Sequence, residues 1–334
     1  ACFLPPEPPP GLAEEMLRRV GGMAPSRSSL DGLPKVVSEG WEAHRVRYEE
    51  ALTAAAEVPP EAATVAISLD GVMVPMKDGG RAAKRAATRA EGRPPSGPAG
   101  YREVACGTLT MYNSEGERLS TRRFARMPER GKVSLKLSLK AALGDLVSQR
   151  PDLTLVKVAD GARDNWTFLS GDLPDGVEVL DFYHAVEHLT RALASAYGES
   201  SPEFHHMHKR LRHKLRDSAD GVEQVIRSLR YLAKKHPRSK SIHTELAYFR
   251  KNRARMRYAA VAAENLPIGS GVIEAACKTL ASTRMKRSGM RWGHEGGQAV
   301  LTLRSRQQSG EFDLTWKLLH RDRVGSVHIH QQAA

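Results

Sequence analysis

The sequence predicts an α/β protein: a mixed five-stranded sheet with flanking helices, interrupted by an all-α insertion and preceded by a helical N-terminal region. Three observations carry this. Short β-branched apolar runs occur at 64–69, 153–159 and 176–180, with two further strand-like segments at 101–112 and 117–126. Helical spacing fills the gaps between the later runs, near 132–149 and 163–169. From about 185 to 265 the pattern is helical throughout.

Composition sets the outer limits. The 334 residues exceed one average domain, and 40% hydrophobic with 27% charged residues is an ordinary globular balance. No apolar run is long enough to span a membrane. Cys2, Cys106 and Cys277 show no CxxC spacing, which argues against a disulfide framework or a cysteine-built zinc site and for a reducing compartment. The start lacks both an initiator Met and a signal-peptide pattern, so residues are expected upstream. Lys and Arg number 51 against 38 Asp and Glu, a net charge of +13. Such an excess suits a polyanionic partner, nucleic acid before anionic membrane; the bland alternative is a merely basic soluble protein.

Taken in order, residues 1–57 form the helical N-terminal region. Leu12, Met16, Leu17 and Val20 recur at helical spacing, Gly21-Gly22 supplies a stop, and Pro25-Ser26-Arg27 restarts a helix. With Arg27 near the second start, this fits a DNA-reading helix-turn-helix, and equally a plain helical hairpin; Pro34 counts against the sharper reading. Residues 58–184 form the first part of the core. The first strand ends at Asp70-Gly71, and the Lys/Arg/Ala-rich stretch 77–100 reads as an exposed loop. Asn113 to Gly116 turns a hairpin, and the helix near 132–149 is expected to bury Val133, Leu137, Leu143 and Val147. The next strands end at Asp160-Gly161 and Asp181. Three antiparallel strands followed by helical crossovers to parallel ones give the ribonuclease H-like plan. The insertion, 185–265, carries dense basic runs (Lys209, Arg210, Arg212, Lys214, Arg216; Arg250, Lys251, Arg253, Arg255, Arg257), which read as a phosphate-binding surface or as solvated helix faces. Residues 266–310 hold the core's final helices, and 311–334 read as a tail with little core signal.

Three acids stand out. Asp70 and Asp160 each end an apolar strand and precede a glycine, and Glu274 opens a late helix behind Gly269-Ser270-Gly271. Phosphodiester chemistry needs an activated oxygen nucleophile, a stabilised leaving oxygen and charge neutralisation, which two Mg²⁺ held by carboxylates on rigid elements supply, Mn²⁺ being a substitute. Turn chemistry explains each Asp-Gly pair alone, and helix-end complementarity explains Glu274 alone; together, in one sheet order, they point to a metal site. Asp164 is a weaker candidate for the second acid. His184 and His188 share a helix face without an HExxH pattern, and His205, His206, His208 and His213 read as a wet helix surface. Arg284, Lys286, Arg287 and Arg291 could neutralise DNA phosphates, with Trp292 stacking on a base; a solvated loop with a half-buried Trp is the alternative.

Several blocks resemble bacterial insertion-sequence transposases of the ISKra family: Ser68-Leu69-Asp70-Gly71-Val72-Met73-Val74-Pro75, Ala159-Asp160-Gly161-Ala162-Arg163-Asp164-Asn165-Trp166, Asp181-Phe182-Tyr183-His184, the stretch Ile268 to Lys278 around Glu274, and Arg284 to Trp292. The likeness spans roughly residues 20 to 305 in consistent order. It implies a DDE-type transposase with a ribonuclease H-like core. Asp70, Asp160 and Glu274 would then bind the metals, activating water for cleavage and then the 3′-hydroxyl for attack on target DNA. It places Asp181 and His184 at the periphery of the site, where a structural role is the alternative. It also implies double-stranded DNA at element ends and target as partner, a homodimer or larger working complex, and a bacterial cytoplasmic, nucleoid-associated setting. A catalytically inactive DNA-binding remnant and a structure-selective nuclease of the same fold are the rival expectations.

Overall fold

The computed structural model describes residues 10–20, 25–77, 79–94 and 100–325. Its strands are β1 (Ala62–Pro75), β2 (Tyr101–Asn113), β3 (Arg118–Arg126), β4 (Thr154–Ala159) and β5 (Val177–Leu180), in the order β3-β2-β1-β4-β5. β1 pairs antiparallel with β2 and parallel with β4; β2–β3 is antiparallel and β4–β5 parallel. This mixed sheet with its flanking helices is compatible with the ribonuclease H-like plan. β1 alternates its two faces: Val65, Ile67 and Leu69 pack toward one core, and Ala66 toward another.

Three helices precede the sheet: α1 (Pro10–Val20), α2 (Arg27–Ala43) and α3 (Arg45–Ala54). The Ser26 hydroxyl caps α2 by accepting the Ser29 amide. The expected Gly21-Gly22 turn lies outside the described residues. Arg27 is 3.6 Å from Glu14, and α2 buries Leu30, Pro34, Ser38 and Trp41. The segment expected as a loop after β1 contains a helix, α4 (Gly79–Ala90). Its Ala, Arg and Lys favour helix strongly, but its apolar face is built of alanine alone, without the bulky residues that mark a core-facing helix.

α5 (Val133–Gln149) packs on the sheet through Leu135, Leu139, Leu143 and Leu146. Of the four expected core residues, Val133 and Leu137 are exposed, because the helix turns its Leu135/Leu139 stripe toward β2. Gly107 permits this approach: a Cβ there would lie 2.6 Å from Leu139. α6 (Arg163–Gly171) covers the same face with Trp166, Phe168 and Leu169.

The insertion holds α7 (Phe182–Tyr197), α8 (Pro202–Asp217), α9 (Gly221–Lys235), α10 (Lys240–Asn252) and α11 (Tyr258–Ala263). Its core continues that of the sheet: Phe182, Ala185 and Leu189 join Val156, Val158 and Val179. α12 (Gly271–Ala276) widens through a π turn at Cys277–Ser282 into α13 (Thr283–Met285), lying over β1 and β2 by way of Ile273, Leu280 and Met285. α14 (His294–Gln308) follows, with Arg304 buried and donating to the Leu280 carbonyl at 3.1 Å. The expected tail begins with another helix, α15 (Phe312–Gly325). Its Leu318 joins Trp41, Tyr48 and Leu52, and its Asp322 accepts the Tyr48 hydroxyl at 2.5 Å. Among the described residues no helix is long and apolar enough to cross a membrane.

Candidate active site

β1 and β4 pair as far as Ser68 opposite Val158, so Asp70 and Asp160 come two residues later on neighbouring strands, where that pairing ends. Asp70 does not end its strand. β1 runs on to Pro75 because β2 remains its partner, with Asp70 opposite Cys106. Gly71 is therefore no turn residue. A side chain there would collide with Glu103, which leans across it toward Lys132, 3.0 Å away. Asp160 does open a turn: its Oδ1 accepts the Ala162 amide at 3.1 Å and Asn165 Nδ2 at 3.0 Å. Gly161 is needed because a Cβ would lie 2.5 Å from the Tyr248 ring of α10.

Burial raises the Asp70 carboxyl above its usual range, and the Asp160 charge adds to the rise; the Gly71 amide, His184 and Lys132 oppose it. The two acids thus repel one another. Cys277, one turn after Glu274, directs its Sγ at Asp70 Oδ2, 3.9 Å away. A hydrogen bond with Cys106 and then burial push that thiol well above its ordinary value, so it stays neutral.

Asp181, His184 and Glu274 form a tighter group: one ligand atom from each lies within 4.8 Å of the others, an arrangement that could hold a metal ion. Asp181 is fully buried at the N-cap of α7. Its Oδ1 accepts the His184 amide at 2.7 Å, and its Oδ2 accepts the Ser270 amide from the loop before α12. Burial alone would raise this carboxyl, but hydrogen bonds from His184 and Ser270 outweigh it and hold it low. The His184 ring stands 3.4 Å from Asp181, whose carboxylate lifts the imidazole to about 9, leaving it cationic at neutral pH. Glu274 is exposed, and one of its oxygens accepts the Ser270 hydroxyl at 3.0 Å. Asp70 and Asp160 are not members of this group, but His184 links them to it: each of the two acids has an electrostatic interaction with that ring.

Other expected residues go elsewhere. Asp164 pairs with Lys136 at 2.9 Å. His188 bonds Glu245 and stacks on Tyr248 at 3.4 Å, while Glu245 also takes Arg191 at 3.0 Å. The Tyr248 hydroxyl is buried without a hydrogen-bond partner, and burial raises its pKa. His205, His206 and His213 are exposed; His208 is 3.0 Å from the Thr190 hydroxyl. Arg284 is buried and lies 4.9 Å over the Trp292 ring, whose Nε1 donates to the Met285 carbonyl at 3.0 Å. Both therefore face inward, and Lys286, Arg287 and Arg291 remain at the surface. Lys209, Arg210, Arg212, Lys214 and Arg216 line the exposed side of α8, whereas Arg255 is held by Glu178 at 2.6 Å and packs on Trp166.

Lys132, Glu103, Asn165 and Tyr248 lie around the acids; of these, Asn165 falls in the block that carries Asp160, and Lys132 and Glu103 stand in no motif. Glu103 and Tyr248 betray themselves only through the glycines opposite them, and Asn165 follows Asp160 by little more than one helical turn. No protein-family model matches the chain, and no curated protein matches it either.

Proposed function

We propose that the protein is a DDE-type DNA transposase that cuts and joins phosphodiester bonds at the ends of a mobile element. Convergence is the observation that supports this most. Asp181 and His184 from the start of α7 and Glu274 from α12 offer ligand atoms within 4.8 Å of one another, and Asp70 from β1 and Asp160 after β4 interact with each other and with His184, in a chain of net charge +13.

The donor set fits divalent metal. Carboxylate oxygens suit Mg²⁺, with Mn²⁺ as a substitute, and the adjacent Asp70 and Asp160 repel one another. Asp70, Asp160 and Glu274 would hold two such ions, with Asp181 and His184 beside Glu274. Bound metal of this kind activates an attacking oxygen and stabilises a leaving one. The chain's own groups prepare that chemistry. Asn165 and the Ala162 amide fix one Asp160 oxygen and leave the other free. The Ser270 hydroxyl steadies Glu274, and the Ser270 amide locks Asp181. Cationic His184 attracts the DNA phosphate. The exposed bases of α8 provide a backbone-binding surface for double-stranded DNA. Bringing two element ends together calls for at least a homodimer, at work in a bacterial cytoplasm.

The test uses labelled DNA from the ends of the encoding element, with Mg²⁺ or Mn²⁺, and the parent beside Asp70→Ala, Asp160→Ala and Glu274→Ala. Nicking and strand joining are expected from the parent alone, with DNA binding kept by all four. Equal cleavage by the variants would remove the catalytic assignment, and a folded parent that binds but never cuts would leave a DNA-binding remnant.

A further inference from the structure

The turn between β3 and α5 holds a lysine in a conformation that side chains rarely adopt. Lys132 has φ 54° and ψ 35°, directly after Gly131 at φ 70°. Asn or Asp can ease a left-handed backbone with a short polar side chain; lysine cannot, so the position is strained. Glu129 fixes the turn, its carboxylate accepting the Leu135 amide at 3.2 Å and the Ser134 hydroxyl at 2.7 Å.

The strain accomplishes a placement. Lys132 Nζ lies 3.0 Å from Glu103 and 3.5 Å from Asn165 Oδ1, and Asn165 donates in turn to Asp160. Its charge is also felt at Asp70. The ammonium therefore stands beside the seam where β4 has ended and β1 continues. Gly71 is part of the device, since its missing side chain lets Glu103 cross toward the lysine. Stability does not account for it. Glu103 is 48% exposed, and an ion pair so open to water contributes little. The Lys132 side chain is 16% exposed, so part of it still reaches solvent. A phosphate entering among Asp70, Asp160 and Glu274 meets mostly negative charge, and a lysine on the flank offsets it.

We propose that Lys132 binds the scissile phosphodiester, its ammonium donating to a non-bridging phosphate oxygen while Glu103 and Asn165 aim it. This rests on the DNA-cleaving reading above and adds a substrate contact to it. The experiment follows nicking of supercoiled plasmid with Mn²⁺ by the parent, Asp70→Ala, Lys132→Asn and Lys132→Gly, and records the melting temperature of each. Asn and Gly both accept the left-handed backbone, so both variants should melt at or above the parent while nicking roughly 100-fold more slowly. Nicking at the parental rate by either variant overturns the role of Lys132 and leaves the enzyme reading intact. Lower melting temperatures in both would make the lysine a structural strut, which also overturns it. A parent no faster than Asp70→Ala removes the enzyme reading and Lys132 with it.

Discussion

Replacing Asp181 by Ala should destabilise the protein even when every metal is chelated. The carboxylate is fully enclosed and joins two segments distant in sequence, capping α7 at the His184 amide and receiving the Ser270 amide ahead of Glu274. Loss of the cap costs about 1 kcal/mol. The Ser270 amide, on a residue itself 5% exposed, is then left without an acceptor, a further ~1–3 kcal/mol. The sum is about 2–4 kcal/mol, or a fall in melting temperature of roughly 3–6 °C for a chain of this size. Asp181→Asn keeps an acceptor for one of the two amides and should lose about half as much. Urea denaturation followed by circular dichroism in EDTA measures this, with Glu274→Ala as the comparison because its exposed carboxylate caps nothing. If Asp181→Ala unfolds within about 0.5 kcal/mol of the parent, the buried carboxylate is not the clasp described here.

Two further predictions lie away from the site. Lys157 of β4 is 2% exposed, and burial holds its ammonium below the ordinary 10.5 despite the nearby Glu178. The folded lysine thus loses its proton at lower pH than the unfolded one, so its own contribution to stability rises with pH through that interval and levels off above 10.5. The buried tyrosines, Tyr248 among them, titrate in the same range with the opposite sign, so the lysine is read from a difference. Lys157→Met should melt no lower than the parent at neutral pH, since Glu178 keeps Arg255 at 2.6 Å, and the parent should gain on the variant as pH rises; thermal melts of both across the alkaline range check this, and a difference that does not change with pH refutes the argument. DNA binding should weaken steeply with salt, and Arg210→Ala with Lys214→Ala should reduce the slope of log K against log salt by about 2, measured by fluorescence anisotropy. An unchanged slope would take α8 out of the interface.

The legible parts of this molecule are those fixed by nearby residues. The run Leu155, Val156, Val158 fits a buried strand on its own, and a glycine after Asp160 marks its end. The same reasoning stops β1 too early, because what carries it past Asp70 is pairing with β2, from Gly71 opposite Ala105 to Pro75 opposite Tyr101. Helices with few bulky apolar residues are equally hidden. α4 has an apolar face of alanine alone, and the buried part of α15 rests on little more than Leu314, Leu318 and Leu319 against the N-terminal helices.

The candidate site repeats this division with a chemical consequence. Asp70, Asp160 and Glu274 are visible because each sits at a punctuation mark in the sequence. Their supports, Asn165, Ser270, Glu103 and Lys132, are polar residues whose meaning depends on which carboxylate they face. Asp181 lies between the two classes: Asp-x-x-His at a helix start announces a cap, yet only the fold shows its second oxygen taken by Ser270. That second bond ties the insertion to the helix bearing Glu274, so any displacement of α7 strains the loop that carries the third acid. The insertion and α12 are therefore joined through a buried carboxylate.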